Sequence, residues 1–208
     1  MSAERNRTKT TPVFRNAHDL REGEDRRVRR TRDRLGDALM GLLVEKPFDQ
    51  IKVQDVLDCA GVSRSTFYSH FRDKNDLFLS DSDEFLEGMA MALSRFGCKS
   101  ERVAPVQELF AHIAEVRPFY SALIESGKIN DVWELGREHF ARGIAERLAQ
   151  IPKSRGMPPE HRAAIAQGLA GSLVSLLTWW VQHGMRPSPE EMDKLFHKLV
   201  WAGANGAA

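Results

Sequence analysis

Two cysteines in 208 residues, Cys59 and Cys98, are too few to staple a fold, and no structural disulfide is expected. Cys59 falls on an inner position of a predicted helix beside Gly61, where a small buried thiol is the ordinary expectation. A redox sensor would need an exposed thiolate of low pKa, and the flanking sequence supplies none. No run of about 18 apolar residues appears, so no membrane span is expected. The charged N-terminus has no apolar core of a secretory signal, which makes the cytoplasm the expected compartment. Period-two strand runs and internal repeats are also missing, leaving an all-α chain. For catalysis the sequence lacks a Gly-rich phosphate loop, paired-cysteine zinc spacing and a nucleophile elbow. Its seven histidines are scattered; the one helical i,i+4 pair, Glu108 with His112, reads as a surface contact. Neither an enzyme, a metal site nor a cofactor is expected.

Hydrophobic residues at 42% support a real core, and 208 residues suffice for a small helical unit and a larger one sharing a helix. The net charge of +1 is unevenly placed: residues 1–34 hold 11 Lys or Arg against 6 Asp or Glu, and residues 1–78 hold 16 against 13. A mildly basic front on an otherwise acidic chain fits a module that meets phosphate, although a solvated basic tail accounts for the first 25 residues equally well. Those residues, with little apolar periodicity, read as a disordered basic arm.

Helical periodicity begins at Arg26 or Arg27 and runs to Glu45, with Val28, Leu35, Leu39, Leu42 and Leu43 on one stripe, and Pro47 ends it. The next run, Val53 to Ala60, carries Val53, Val56, Leu57 and Ala60 at helical spacing. Gly61 then supplies the left-handed conformation of a helix stop, Val62 plugs the corner, and Ser63 can cap the following helix, Arg64 to His70 or Phe71. Phe67 and Phe71 lie four apart and face inward, leaving Arg64, Ser65, Thr66, Tyr68, Ser69 and His70 as an outer face rich in donors and acceptors.

The stretch Gly61-Val62-Ser63-Arg64-Ser65-Thr66-Phe67-Tyr68-Ser69-His70-Phe71, followed by Asp73-Lys74-Asn75-Asp76-Leu77-Phe78, resembles the TetR (tetracycline-repressor) family of bacterial transcriptional regulators. The resemblance covers roughly a quarter of the chain. It implies an N-terminal three-helix helix-turn-helix domain over residues 26–73, and a helical regulatory and dimerisation domain over 74–208. It further implies base contacts from Ser65, Thr66, Ser69 and His70, and backbone contacts from Ser63, Arg64, Tyr68 and Lys74. Arg64 suits either purpose; Tyr68 suits a core-edge aromatic, and Lys74 a surface lysine. Two positions depart from the family: Lys52 stands where Thr is usual, and Gln54 where a basic residue is frequent. Lys52 can reach a phosphate, and Gln54 can read adenine if it faces the groove.

Asp73 can cap a fourth helix reaching Phe96 on a stripe of Leu77, Phe85, Met89 and Leu93, with the polar run Ser80-Asp81-Ser82-Asp83 as a place to bend or fray. Further helices are expected at about 103–115, 117–126, 129–151, 159–184 and 189–202, with a loop from Ile151 to Pro159. Specific repression by one short reading head calls for a homodimer on a double-stranded operator. Leu169, Leu173, Leu176 and Leu177, with Leu195, Phe196 and Leu199, are the candidate seam, with small residues Gly168, Ala170, Gly171 and Ser172 permitting close approach; packing within one chain explains the same residues equally well. The resemblance also implies a small apolar or aromatic effector. Phe85, Met89, Phe110, His112, Tyr120, Trp133, Phe140 and Trp179 are the candidate lining, with His139 a second polar anchor and Phe119 and Trp180 nearby. Trp179 and Trp180 cannot face one way on a helix. A ligand-independent regulator, or a protein-interaction scaffold that retains the motif, stands as the alternative.

Overall fold

The computed structural model describes residues 26–91, 100–154 and 156–204. The basic arm, Leu93, Phe96 and Cys98 lie outside them. Among the described residues there are α-helices, short 3-10 turns and no strand. The helices are α1 (Arg26–Glu45), α2 (Val53–Ala60), α3 (Arg64–Tyr68), α4 (Lys74–Met91), α5 (Val106–Glu115), α6 (Arg117–Glu125), α7 (Ile129–Gln150), α8 (Pro159–Gln182) and α9 (Pro189–Ala204). The expected boundaries hold within a few residues, apart from the end of α4 at Phe96, which lies outside the described residues. The clearest differences are α3, which closes at Tyr68, and α5, which begins at Val106 after Pro105, a residue that disfavours helix in the one before it.

The head is α1 to α3. Leu35, Leu39 and Leu43 of α1, Val56 and Leu57 of α2 and Phe67 of α3 are all buried, and the 3-10 turn Phe48–Gln50 contributes Phe48. The first turns of α4 close this core from below: Leu77 and Phe78 are buried, and Phe78 packs 5.6 Å from the Phe48 ring. One continuous apolar core then runs from the head into the body formed by α5 to α9. In the body α7 lies between α4 and α8, and Gly136 lets α7 approach closely, since a Cβ there would stand 3.4 Å from Leu86 and from Phe140.

The polar run in α4 neither bends nor frays, because each side chain has a docking role. Arg32 of α1 donates to Ser80 Oγ at 2.7 Å. Asp81 turns against Gly36 of α1, where a Cβ would lie 2.5 Å from its Oδ1. Ser82 is buried, and Asp83 accepts a 2.7 Å hydrogen bond from His139 Nε2 on α7. Arg142 donates to the other nitrogen of that ring at 2.7 Å. His139 therefore links α4 to α7, with both ring nitrogens engaged by Asp83 and Arg142.

Helix α8 is long and apolar enough to cross a bilayer by composition alone, which the sequence reading did not expect. Here it packs on α7 through Ala166, Ala170, Leu173, Val174, Leu177 and Trp180. Leu173, Leu177 and Phe196 are fully buried within one chain, so they leave the candidate dimer seam and join the core. Leu195 and Leu199 are exposed on α9, and Ile165 and Trp179 on α8, with Leu169 and Leu176 half-buried between them.

Candidate nucleic-acid interface

Local chemistry sets each helix end of the reading head. Helix α2 starts on Lys52, whose backbone N–H donates to Asp55 Oδ2 at 2.9 Å. The side chain of Lys46 donates to the same oxygen at 2.6 Å, and the two bonds hold the Asp55 carboxyl below its usual range. Gly61 ends α2 at φ 62°, ψ 42°, with its N–H bonded to Leu57 O. The guanidinium of Arg34, reaching from α1, donates to Ala60 O and to Gly61 O. That clamp was not legible in the sequence, since 26 residues separate Arg34 from its acceptor and no local pattern marks it. Ser63 caps α3 as expected, its Oγ accepting from Thr66 N at 3.2 Å.

Phe67 and Phe71 are buried and anchor the short α3, while Ser65 and Ser69 are exposed beside it. Tyr68 is 50% exposed with its ring edge-on to Phe67, which leaves its hydroxyl open to an outside partner. Thr66 is half-buried, with its Oγ1 2.8 Å from Ser63 Oγ, and Ser69 Oγ donates to Thr66 O at 2.7 Å. Both hydroxyls therefore keep the turn, and each retains acceptor capacity. His70 is half-buried against Phe71.

Across the turn, Gln54 Nε2 donates to Asp58 Oδ1 at 2.8 Å and Gln54 Oε1 accepts from Arg64 Nη2 at 3.3 Å. All three residues are exposed, as is Lys52. Cys59 is exposed too, contrary to the buried thiol expected. The packed face of α2 is formed by Val56, Leu57 and Ala60, and Cys59 falls outside that stripe.

Lys74 is positioned differently from the expectation of an outward phosphate contact. Its Nζ donates to Phe48 O at 2.6 Å and Ile51 O at 2.7 Å, and lies 4.4 Å over the Phe48 ring. Burial lowers its pKa. Two of its three N–H donors bind the turn between α1 and α2, leaving one for any outside partner.

The candidate effector residues separate into groups. Phe85, His112, Tyr120 and Trp133 come together in the body: Phe85 lies 4.5 Å from the His112 ring, and Tyr120 stacks on Trp133 at 6.0 Å. Burial lowers the His112 pKa to about 4, so the ring is neutral at pH 7, and Trp133 Nε1 is buried with no hydrogen-bond partner among the described residues. The Glu108–His112 pairing does not form; Glu108 binds Arg102 at 2.6 Å instead. Met89 packs half-buried on the core, Phe140 is buried beside Gly136, and Phe110 packs 4.8 Å from Trp180. Trp179 leaves the group altogether, exposed and stacked on His183. A groove of about 500 Å³ lies elsewhere among the described residues, lined by Arg102, Asp193, His197, Lys198 and Trp201 among others.

Comparison with known proteins agrees with this geometry. The profile of bacterial regulatory proteins of the tetR family matches residues 35–80, and that of a transcriptional regulator C-terminal region matches residues 105–201. The HTH-type transcriptional regulator YxbF of Bacillus subtilis (strain 168), itself uncharacterized, is 23% identical over an alignment of 177 positions that covers 79% of this chain; the chain spans 43% of that relative's length. A TetR transcriptional regulator from Streptococcus agalactiae 2603V is similar in structure, with TM-score 0.58 and 25% identity, over 85% of this chain and 96% of the other. The dihydroxyacetone kinase operon activator DhaS shares the fold at TM-score 0.63 and 15% identity, covering 84% of this chain and 96% of its own.

Proposed function

Because the chain belongs to the tetR family of bacterial regulatory proteins, we propose that it is a dimeric repressor that binds a near-palindromic DNA operator and releases it on binding a small molecule. The observation that carries the DNA-binding part is the outer face of α3, where Arg64, Ser65, Tyr68 and Ser69 are exposed around a backbone fixed by Gly61, Ser63 and the Arg34 clamp. Ser65, Thr66, Ser69 and His70 serve base edges in this reading, while Lys52, Ser63, Arg64 and Tyr68 serve the phosphate backbone. Lys74 acts chiefly by holding the α1–α2 turn in register with α4.

Two apolar faces support the dimer: exposed Ile165 and Trp179 with half-buried Leu169 and Leu176 along α8, and exposed Leu195 and Leu199 on α9. Apolar side chains at helical spacing on neighbouring helices suit a four-helix seam across a two-fold axis. For the effector, Phe85, His112, Tyr120 and Trp133 bring aromatic rings and polar ring atoms together in the body, chemistry that suits a small aromatic molecule. The close ring packing there equally favours a ligand-independent regulator, the second reading.

The test is a titration of the purified protein against fragments of its source genome at several salt concentrations. A subset of fragments should bind, with affinity falling steeply as salt rises. Binding to none of them, or salt-independent binding, would point instead to a protein-interaction scaffold.

A further inference from the structure

The polar chain across the two helices of the reading head contains an acidic residue that no DNA-contact pattern requires. Asp58 lies one turn after Gln54 on α2, exposed, and its Oδ1 accepts the Gln54 amide N–H at 2.8 Å. A carboxylate on a surface that meets phosphate is repelled by it, so its presence there needs another reason.

Hydrogen-bond chemistry supplies one. An ionised Asp only accepts and an Arg only donates, so the Gln54 amide between them has one permitted orientation: Nε2 toward Asp58, Oε1 toward Arg64. Turning the amide over would set its oxygen against the carboxylate and its NH2 against the guanidinium. In the permitted orientation one N–H and one lone pair of Gln54 are used internally, and one of each remains. Adenine presents an N7 acceptor and an N6 donor in the major groove, the complement of that remaining pair.

We propose that Asp58 is a specificity-determining positioning residue, which acts through Gln54 by locking its amide to read adenine and through Arg64 by tethering its guanidinium beside that amide. This inference rests on the reading of the head as a DNA-binding module. A side chain whose donor and acceptor are fixed before contact loses less freedom on binding and discriminates better against bases that present the opposite pattern.

The experiment is selection of bound duplexes from a randomised pool by the full-length wild type, Gln54→Ala, Asp58→Ala and Asp58→Glu, with melting curves of each. Wild type should enrich adenine at one position of each half-site. Gln54→Ala and Asp58→Ala should each reduce that preference by roughly tenfold, within the range of one bidentate side chain–base pair, while other positions and the melting curves stay unchanged. Asp58→Glu, which keeps an acceptor within reach, should retain most of the preference. An unchanged base preference in Asp58→Ala, or a uniform gain in affinity for every duplex, would overturn the proposal and leave DNA binding intact. Failure of the wild type to bind any duplex would overturn both.

Discussion

Asp81 illustrates how one side chain at a helix crossing sets a property of the fold. Burial against Gly36, with Glu84, Asp37 and Asp33 nearby, raises its carboxyl pKa from 3.8 to about 7, only partly opposed by Arg32. The unfolded chain gives up that proton near its ordinary pKa, whereas the folded chain keeps it until about pH 7, so the folded state binds more protons in between. Stability from this group is therefore highest in acid and falls as pH rises from about 4 to about 7. Asp81→Asn, neutral in both states, should flatten that fall: thermal midpoints measured at pH 5 and pH 8 should converge relative to wild type. An equal drop in both proteins would show that another group is responsible. His112 works in the opposite direction, because burial lowers its pKa from 6.5 to about 4 and stability is lost as pH falls through that interval.

At the scale of elements, the head separates what is local from what is not. The left-handed Gly61 and the Ser63 cap were legible, since each signal lies within a few residues of the backbone group it satisfies, and the Val53 start of α2 followed from its apolar spacing, although the Asp55 bond to Lys52 N–H there was not read. The Arg34 clamp, the Lys74 staple and the docking role of Ser80 to Asp83 were not, because their partners stand 23 to 56 residues away in sequence. Gly61 now has two reasons to be glycine: its positive φ, and Arg34 Nη2 lying 2.9 Å from where a Cβ would sit. Gly61→Ala should cost about 1–3 kcal/mol in denaturant unfolding, combining left-handed strain with displacement of the clamp. In an Arg34→Ala background the same change should cost less, and additive losses would dissociate the two.

For the whole molecule, the body was legible as helices but not as faces. Leucines at 169, 173, 176 and 177 cover two adjoining sides of α8, and periodicity alone cannot say which side meets α7 and which is left uncovered. Packing answers half of this by burying Leu173 and Leu177. The aromatic cluster was likewise half legible: residue types marked an aromatic interior, but the exclusion of Trp179 followed from the helical phase of its neighbour Trp180. Leu199→Glu, at a side chain 56% exposed in the single chain, should shift the protein toward monomer in sedimentation while leaving its helical signal and melting curve nearly unchanged. It should also weaken operator binding by at least tenfold, since half-sites are then engaged singly. A dimer unaffected by Leu199→Glu would place the seam elsewhere. The continuous apolar core from head to body also bears on how such regulators can be recombined. With Leu77 and Phe78 closing the head and Lys74 pinned to Phe48 and Ile51, a graft cut immediately after residue 73 would carry a reading head with an open floor. A chimaera that keeps α4 through Asp83 transfers the head with its floor and supplies the new host with a ready-made socket for its own helices.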